Sequence, residues 1–415
     1  MNWRRALFAL GSSFTFLTTG TVDAGVLSGN CRTGNQPAAT LLIPYFEVDL
    51  GKPGGATTLL SVNNASAKPA IARVVLWTDW GVPTLAFDVY LTGYDVQTLN
   101  VRDLFAGKLP ETGPEASPVG AASSPGSTFE GCGGSANAGG GATGLAAPSP
   151  DVDLAYLLAA HTGRAVTKGA PAQCAGSAGP DPNLVTGYIT VDVVNRCSPR
   201  TVGSVANTPA SASYFAARGT GLASDANVLW GDSYYVNSDQ NTASSQAAIA
   251  IVADPDYFHS GDYTFYGRYV GFDARDNRVP LSSLYYVRYT QGGTFSGGTD
   301  LVVWRDNRRA DVSLHDCGGK PDWAPLGEQQ LVIFDEEENP QALTQSNAFP
   351  LATQKVHVGG PTLPVAPPFG FLALDLWHQD GTHAQGWVGL LMTAGGRFGT
   401  GHEAVRVDDM CNFGR

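Results

Sequence analysis

The sequence predicts an all-β protein of two β-sandwich lobes, immunoglobulin-like in pattern, with a Gly/Ala/Ser-rich linker and one short helix. Three observations predict it. Strand-like runs recur with turn chemistry about every 8–12 residues. The 51 glycines and 26 prolines in 415 residues supply the turns, since both residues punctuate regular structure. Hydrophobic residues make up 43% of the chain, enough for a core, while charged residues reach only 15%, below the roughly 25% of typical soluble domains.

Residues 1–24 read as a signal peptide. Arg4 and Arg5 form a positive start, Ala6 to Leu17 an apolar stretch, and Val22-Asp23-Ala24 a small-residue cleavage site, in the order such leaders require. The stretch is too short to span a bilayer. Arg4-Arg5-Ala6-Leu7-Phe8 also fits the paired-arginine signal that exports folded proteins. Either route places the chain outside the cytoplasm, in the medium, at the cell surface or in the periplasm. Downstream, no apolar run reaches the length of a membrane helix, so none is expected in the mature chain.

Six cysteines, Cys31, Cys132, Cys174, Cys197, Cys317 and Cys411, follow the leader. An even number in an oxidising compartment reads as disulfides, with about fifteen possible connectivities for six. No Cys-x-x-Cys pair occurs, which removes the usual zinc and thiol-redox signatures. The formal net charge of -12 argues against nucleic acid, whose phosphates need a basic face.

The first domain, 25–112, holds strand-like runs at Thr40–Leu50, Thr57–Asn63, Ala70–Thr78, Thr84–Leu91 and Val96–Val101. Alternation is clearest where Leu85, Phe87, Val89 and Leu91 take one face and Ala86, Asp88 and Tyr90 the other. Gly51–Gly55, Asn63–Pro69 and Gly81-Val82-Pro83 supply the breaks. Asn64-Ala65-Ser66 is a formal glycosylation sequon but reads more simply as turn chemistry.

Residues 113–150 are Gly, Ala, Ser and Pro with few large apolar side chains. Such a segment buries too little surface to offset the entropy of ordering it and reads as a flexible linker. The predicted helix follows, with Ser149 and Pro150 as N-cap and first residue, Asp151 and Asp153 at its positive end, and Leu154, Leu157, Leu158 and His161 at helical spacing before Gly163.

The second domain, 151–415, returns to strand patterning, from Tyr188–Val194 through Val228–Val236, Ala247–Ala253, Tyr263–Phe272, Leu284–Tyr289 and Leu301–Trp304 to Leu331–Phe334, Phe371–Trp377 and Gly386–Met392. Asp380-Gly381 between Trp377 and Trp387 is a hairpin signal.

No Gly-x-Ser-x-Gly elbow, His-Glu-x-x-His helix, phosphate-cradling loop or EF-hand loop occurs, and no cofactor is implied. Weaker features carry two readings each. His378, Asp380 and His383 offer metal ligands or a polar hairpin tip. The acidic run Asp335 to Glu338, and the loop with Asp273, Asp276 and Asn277, could bind calcium or form turns.

Aromatics are the most uneven feature. Most of the 15 tyrosines fall between Tyr234 and Tyr289. Near them in sequence stand Trp230 with Asp232, and Trp304 with Arg305 and Asp306. Flat rings beside hydrogen-bonding charges could stack on a polymer, while tyrosine is also a favoured strand residue.

Several stretches resemble an uncharacterised family of secreted bacterial proteins. They include Thr40 to Leu50, Tyr90 to Thr98, Gly187 to Asn195, Asn227 to Tyr235, Thr264 to Tyr269 and Gly298 to Asp306. That family has no assigned activity, so the resemblance implies export and a bacterial source and transfers no catalytic residue. The expected function is that of a secreted or cell-surface binding or structural protein recognising an extracellular polymer or surface partner through the aromatic-rich second lobe. Trp230, Asp232, Tyr234, Trp304, Arg305 and Asp306 are its candidate ligand-binding residues. The alternative is an extracellular hydrolase using paired carboxylates or a bound metal, with Asp232, Asp306 or the His378 loop as candidates.

Overall fold

The structure, a computed structural model, describes residues 36–110, 153–162, 166–168, 173–175, 181–198, 201–203, 205–215, 221–256, 261–270, 275–307, 330–342, 349, 351–376, 384–395 and 397–406. The leader, the linker and the His378 loop lie outside them, as do Cys31, Cys132, Cys317 and Cys411.

Along the chain run β1 (Thr40–Asp49), β2 (Thr57–Asn64), β3 (Ala70–Trp77), β4 (Pro83–Leu91), β5 (Val96–Asn100), α1 (Val101–Phe105) and α2 (Leu154–His161). Then come β6 (Val166–Lys168), β7 (Gln173–Ala175), β8 (Leu184–Val194), β9 (Thr201–Val202), β10 (Leu229–Asn237), β11 (Thr242–Ala247), β12 (Ile249–Ile251) and α3 (Gly267–Val270). The last third holds β13 (Leu284–Thr290), β14 (Gly298–Asn307), β15 (Leu331–Phe334), β16 (Pro340–Ala342), β17 (Thr353–His357), β18 (Phe369–Asp375), β19 (Ala384–Thr393), β20 (Gly399–Glu403) and β21 (Val405–Arg406).

The strands form four larger antiparallel sheets, confirming the all-β, sandwich-like class. One four-stranded sheet, β11-β10-β2-β5, faces a six-stranded sheet, β12-β1-β8-β3-β4-β9. Leu60, Val62, Leu99 and Leu229 of the first meet Leu41, Phe46, Val74, Phe87 and Ile189 of the second in one core. A second four-stranded sheet, β17-β14-β19-β20, faces the five-stranded β16-β15-β18-β13-β21. Here Leu301, Val303, Val388 and Leu390 meet Tyr285, Val287, Leu372 and Leu374. A further core joins the two sandwiches, where Leu42, Ile71, Val75, Trp77 and Tyr188 pack on Val302, Trp304 and Trp387. The β-sheets therefore stack in four layers, and only the two outermost have a face turned away from a core.

This stacking changes the meaning of the alternation in β4. Leu85, Phe87, Val89 and Leu91 do share one core, but Ala86 and Tyr90 lie in the next, and every residue of the strand is buried. The chain also crosses the boundary expected between domains. Strands β8 to β12, all beyond residue 151, complete both sheets of the first sandwich.

Local chemistry sets several breaks. Pro44 has no N–H for a ladder, and the β1–β8 register shifts between Ile43 and Phe46. Thr353 donates its hydroxyl to the Pro44 carbonyl and Tyr235 to that of Tyr45 (2.9 Å), so this bulge anchors both neighbouring layers. Asn64 is 2% exposed. Its amide donates to the Lys68 and Thr92 carbonyls and accepts from Ser66, which makes the sequon a turn brace.

The expected helix is present as α2, but its cap is Asp153, which accepts from the Tyr156 amide at 3.0 Å, rather than Ser149. Its His161 is sealed between Phe46 and Phe105. Nδ1–H donates to the Thr186 carbonyl (2.7 Å) and Nε2 accepts from the Thr84 hydroxyl (2.8 Å). Burial drives its pKa down to about 4. Two further helices escape the pattern. α1 begins where the Asn100 side chain accepts from the Arg102 amide (3.1 Å), inside a run read as strand. α3 replaces the expected strand Tyr263–Phe272, because the Asp276 carboxylate takes the Tyr266 amide (2.6 Å) and draws the chain into a turn.

Charges are buried in the junction between the sandwiches. Arg73 on β3 sits in register with Asp88 on β4 and Asp192 on β8. It donates to Asp88 at 2.7 Å, both side chains being wholly buried. Asp192 accepts from Thr40, Tyr214 and Tyr266 and lies 3.5 Å from Arg278, which also faces Asp276 at 3.5 Å. Desolvation raises the Asp88 and Asp192 carboxyls, and it lifts Asp276 to about 6, the arginines opposing it in each case. Taking such ions from water costs several kcal/mol each, offset only when every lone pair is answered.

Cys197 is buried and disulfide-bonded, and no cysteine among the described residues is free. No complete cysteine pair falls within the described side chains.

Candidate functional site

β10 is central in the outer four-stranded sheet, and its residues alternate between core and solvent. Leu229, Gly231 and Ser233 are buried, whereas Trp230 and Tyr234 are 47% and 43% exposed with half-buried Asp232 between them. At about 3.3 Å per residue, the two rings stand roughly 13 Å apart along one strand.

Cross-strand register extends this face. Trp230 lies opposite Asn63, Asp232 opposite Ser61 and Tyr234 opposite Leu59 on β2. The next strand places Val96 beside Asn63 and Thr98 beside Ser61. Leu59 and Val96 are themselves exposed, so four large apolar side chains share one open face. Asp232 accepts from the Ser61 hydroxyl at 2.7 Å, which fixes its carboxylate and leaves lone pairs outward. Trp230, Asp232 and Tyr234 also border a groove of about 530 Å³ with Pro37, Gln246 and Ala248.

Glycine is required inside the strand. A Cβ on Gly231 would sit 2.3 Å from the Ser61 carbonyl oxygen and 3.2 Å from Leu41.

The other three sequence candidates lie elsewhere. Trp304, Arg305 and Asp306 are 3%, 1% and 5% exposed. Trp304 stacks on Phe265 at 5.4 Å and meets Tyr188 edge-on. Arg305 donates to the Phe349 carbonyl at 2.9 Å, and desolvation pulls its pKa down to about 10. Asp306 accepts from Arg268 at 2.6 Å. These are internal braces, out of reach of a polymer. The expected recognition face also moves: Trp230 and Tyr234 belong to the first sandwich, not the second.

The acidic run at Asp335 resolves as a turn, and the second acidic loop as a buried network whose Asp273 lies outside the described residues. Asp335 accepts from the side-chain amide (2.9 Å) and backbone amide (2.8 Å) of Asn339 and from the Glu337 amide (3.0 Å), which lowers its pKa and closes the β15–β16 hairpin. Asp276 and Asn277 are buried, Asn277 donating to Asp225 at 3.0 Å. Among the described residues no group of three or more His, Cys, Asp or Glu side chains is placed to hold a metal, and no described helix is long and apolar enough to cross a membrane.

The chain matches no family model, no curated protein and no solved structure. Its reading therefore rests on geometry. Sequence reasoning found Trp230, Asp232 and Tyr234 and missed Leu59 and Val96. Their signal was present as apolar residues at the exposed phase of otherwise alternating strands, Thr57-Thr-Leu59-Leu and Val96-Gln-Thr-Leu99.

Proposed function

We propose that this is an exported binding protein whose open aromatic face on β10 and its neighbours recognises an extracellular polymer. The observation that carries the reading is the row Trp230, Asp232, Tyr234 on one exposed strand face, flanked by Leu59 and Val96. Rings spaced along a strand stack on the apolar faces of successive units, while a fixed carboxylate accepts hydrogen bonds from their hydroxyls. Beside Asp232 the register brings Ser61, Thr98 and Ala247, not a second carboxylate, so this face favours holding over cleaving. The leader at 1–24 and the six cysteines support export and three disulfides.

The test is co-sedimentation of the full chain with insoluble cellulose, chitin and peptidoglycan. Wild type is expected to sediment with at least one of them, and Trp230→Ala and Tyr234→Ala to weaken that binding roughly tenfold each, with unchanged circular dichroism. Equal binding by both variants would remove this face as the site.

A further inference from the structure

We propose that the second sandwich holds a separate binding site, a slot for a single-chain aliphatic carboxylate such as a fatty acid, between β13 and β20. The slot arises from how the chain changes sheets. β20 pairs with β19 from Gly399 to Glu403, and β21 then pairs with β13 at Tyr285 and Tyr286 only. Ala404, whose amide donates to the Val388 carbonyl at 3.0 Å, marks the crossing. Beyond Tyr286 no described strand pairs with that edge of β13, and along the open edge runs a cavity of about 910 Å³. That lies in the roughly 300–1,000 Å³ range of small-molecule pockets.

The walls are apolar. Leu390 and Met392 border it on the inner side of the β13 edge, and Phe369, Phe371 and Phe334 on the outer face of the five-stranded sheet. Phe334 and Phe371 stack at 4.5 Å, which fixes their shared surface. Phe369 and Val405 are 39% and 68% exposed where they border the cavity, an exposure that folding alone does not reward.

The shape and charge select the ligand. The slot follows β13 from Tyr286 to Thr290, roughly 13 Å at about 3.3 Å per residue, which suits a linear chain. Arg288, His402 and Glu403 line it. Glu403 is held above the usual carboxylate range by desolvation, with Arg406 opposing. Arg288 has no ion-pair partner among the described residues and is the one guanidinium in the lining, placed to meet a ligand carboxylate.

The experiment titrates the full, delipidated chain with dodecanoate and, separately, with dodecanol, by calorimetry. One saturable dodecanoate site is expected, with dodecanol binding roughly tenfold more weakly because it lacks the charge-assisted contact. Arg288→Gln is expected to erase that difference. Met392→Trp and Ala404→Phe fill the cavity from two walls, and each should abolish dodecanoate binding while near-ultraviolet circular dichroism is preserved. Trp230→Ala should leave dodecanoate binding unchanged, which separates this site from the aromatic face. Absence of saturable dodecanoate binding to wild type, or undiminished binding by both filled variants, overturns the site. Equal affinity for dodecanol overturns the choice of a carboxylate.

Discussion

Trp230-Gly231-Asp232 and Trp304-Arg305-Asp306 share the pattern Trp-x-Asp, and both lie on central strands, yet one faces solvent and the other is sealed. The difference is which layer the strand occupies. β10 belongs to an outermost sheet, so its Trp and Asp point away from every core. β14 belongs to an inner sheet, where Trp304 joins the core between the sandwiches and Asp306 meets Arg268. A two-residue spacing selects a face of a strand; the stacking of sheets decides whether that face is a surface.

The largest effects expected from this contrast are on stability. Trp304→Ala should cost about 3–5 kcal/mol in urea unfolding, the range for emptying a buried aromatic site, whereas Trp230→Ala should cost less than about 1 kcal/mol. Comparable losses for the two would erase the distinction. Asp88→Ala should be nearly as severe as the first, at about 3–5 kcal/mol, because it leaves the buried Arg73 guanidinium without its carboxylate. Arg73→Met combined with Asp88→Leu should recover much of that loss, since an apolar pair removes the buried charge altogether.

A smaller effect is written in pH. His161 is neutral in the fold, its pKa depressed to about 4 from an ordinary 6.5. Its contribution is therefore present above about pH 6.5 and is lost as pH falls toward 4, on the order of 3 kcal/mol in all. Asp276, raised to about 6, acts in the opposite sense: its contribution is full below about pH 4 and is lost as pH rises through 6. Comparing the pH dependence of unfolding in wild type and His161→Phe isolates the first contribution, and the variant should lack the acid-side decline. Smaller again than the His161 effect is the roughly tenfold loss of polymer binding in Trp230→Ala, read by co-sedimentation with the polymer that wild type binds.

The strands were largely legible because alternation and turn residues are local. The run Leu85 to Leu91 declared its two faces, and Asp153 to His161 its helix. What was not legible was the second covering layer. Nothing near Asp88 in sequence says that its face is roofed by a distant segment, for the closing residues lie more than a hundred positions away, at Ser198, Asn207 and Arg278. The same blindness put Trp304, Arg305 and Asp306 on a surface. It also hid the slot beside β13, whose sequence trace is only Phe369-Gly370-Phe371, two rings at the phase of β18 that faces away from the core. Tyr263 to Phe272 misled for another reason, since one buried carboxylate outweighed the strand preference of its aromatics.

The interleaving of the first sandwich bears on how the molecule is made. β1 lies between β8 and β12, and β2 between β5 and β10, so each early strand waits for neighbours from well past the linker. A nascent chain ending before residue 184 can join β3 to β4 and β2 to β5 but cannot seat β1 in a sheet. Its apolar strands have open edges until the later ones arrive, and long loops must close first. Folding should thus be slow and late, dominated by pairings distant in sequence, and a fragment cut at 112 should aggregate rather than stand as a domain.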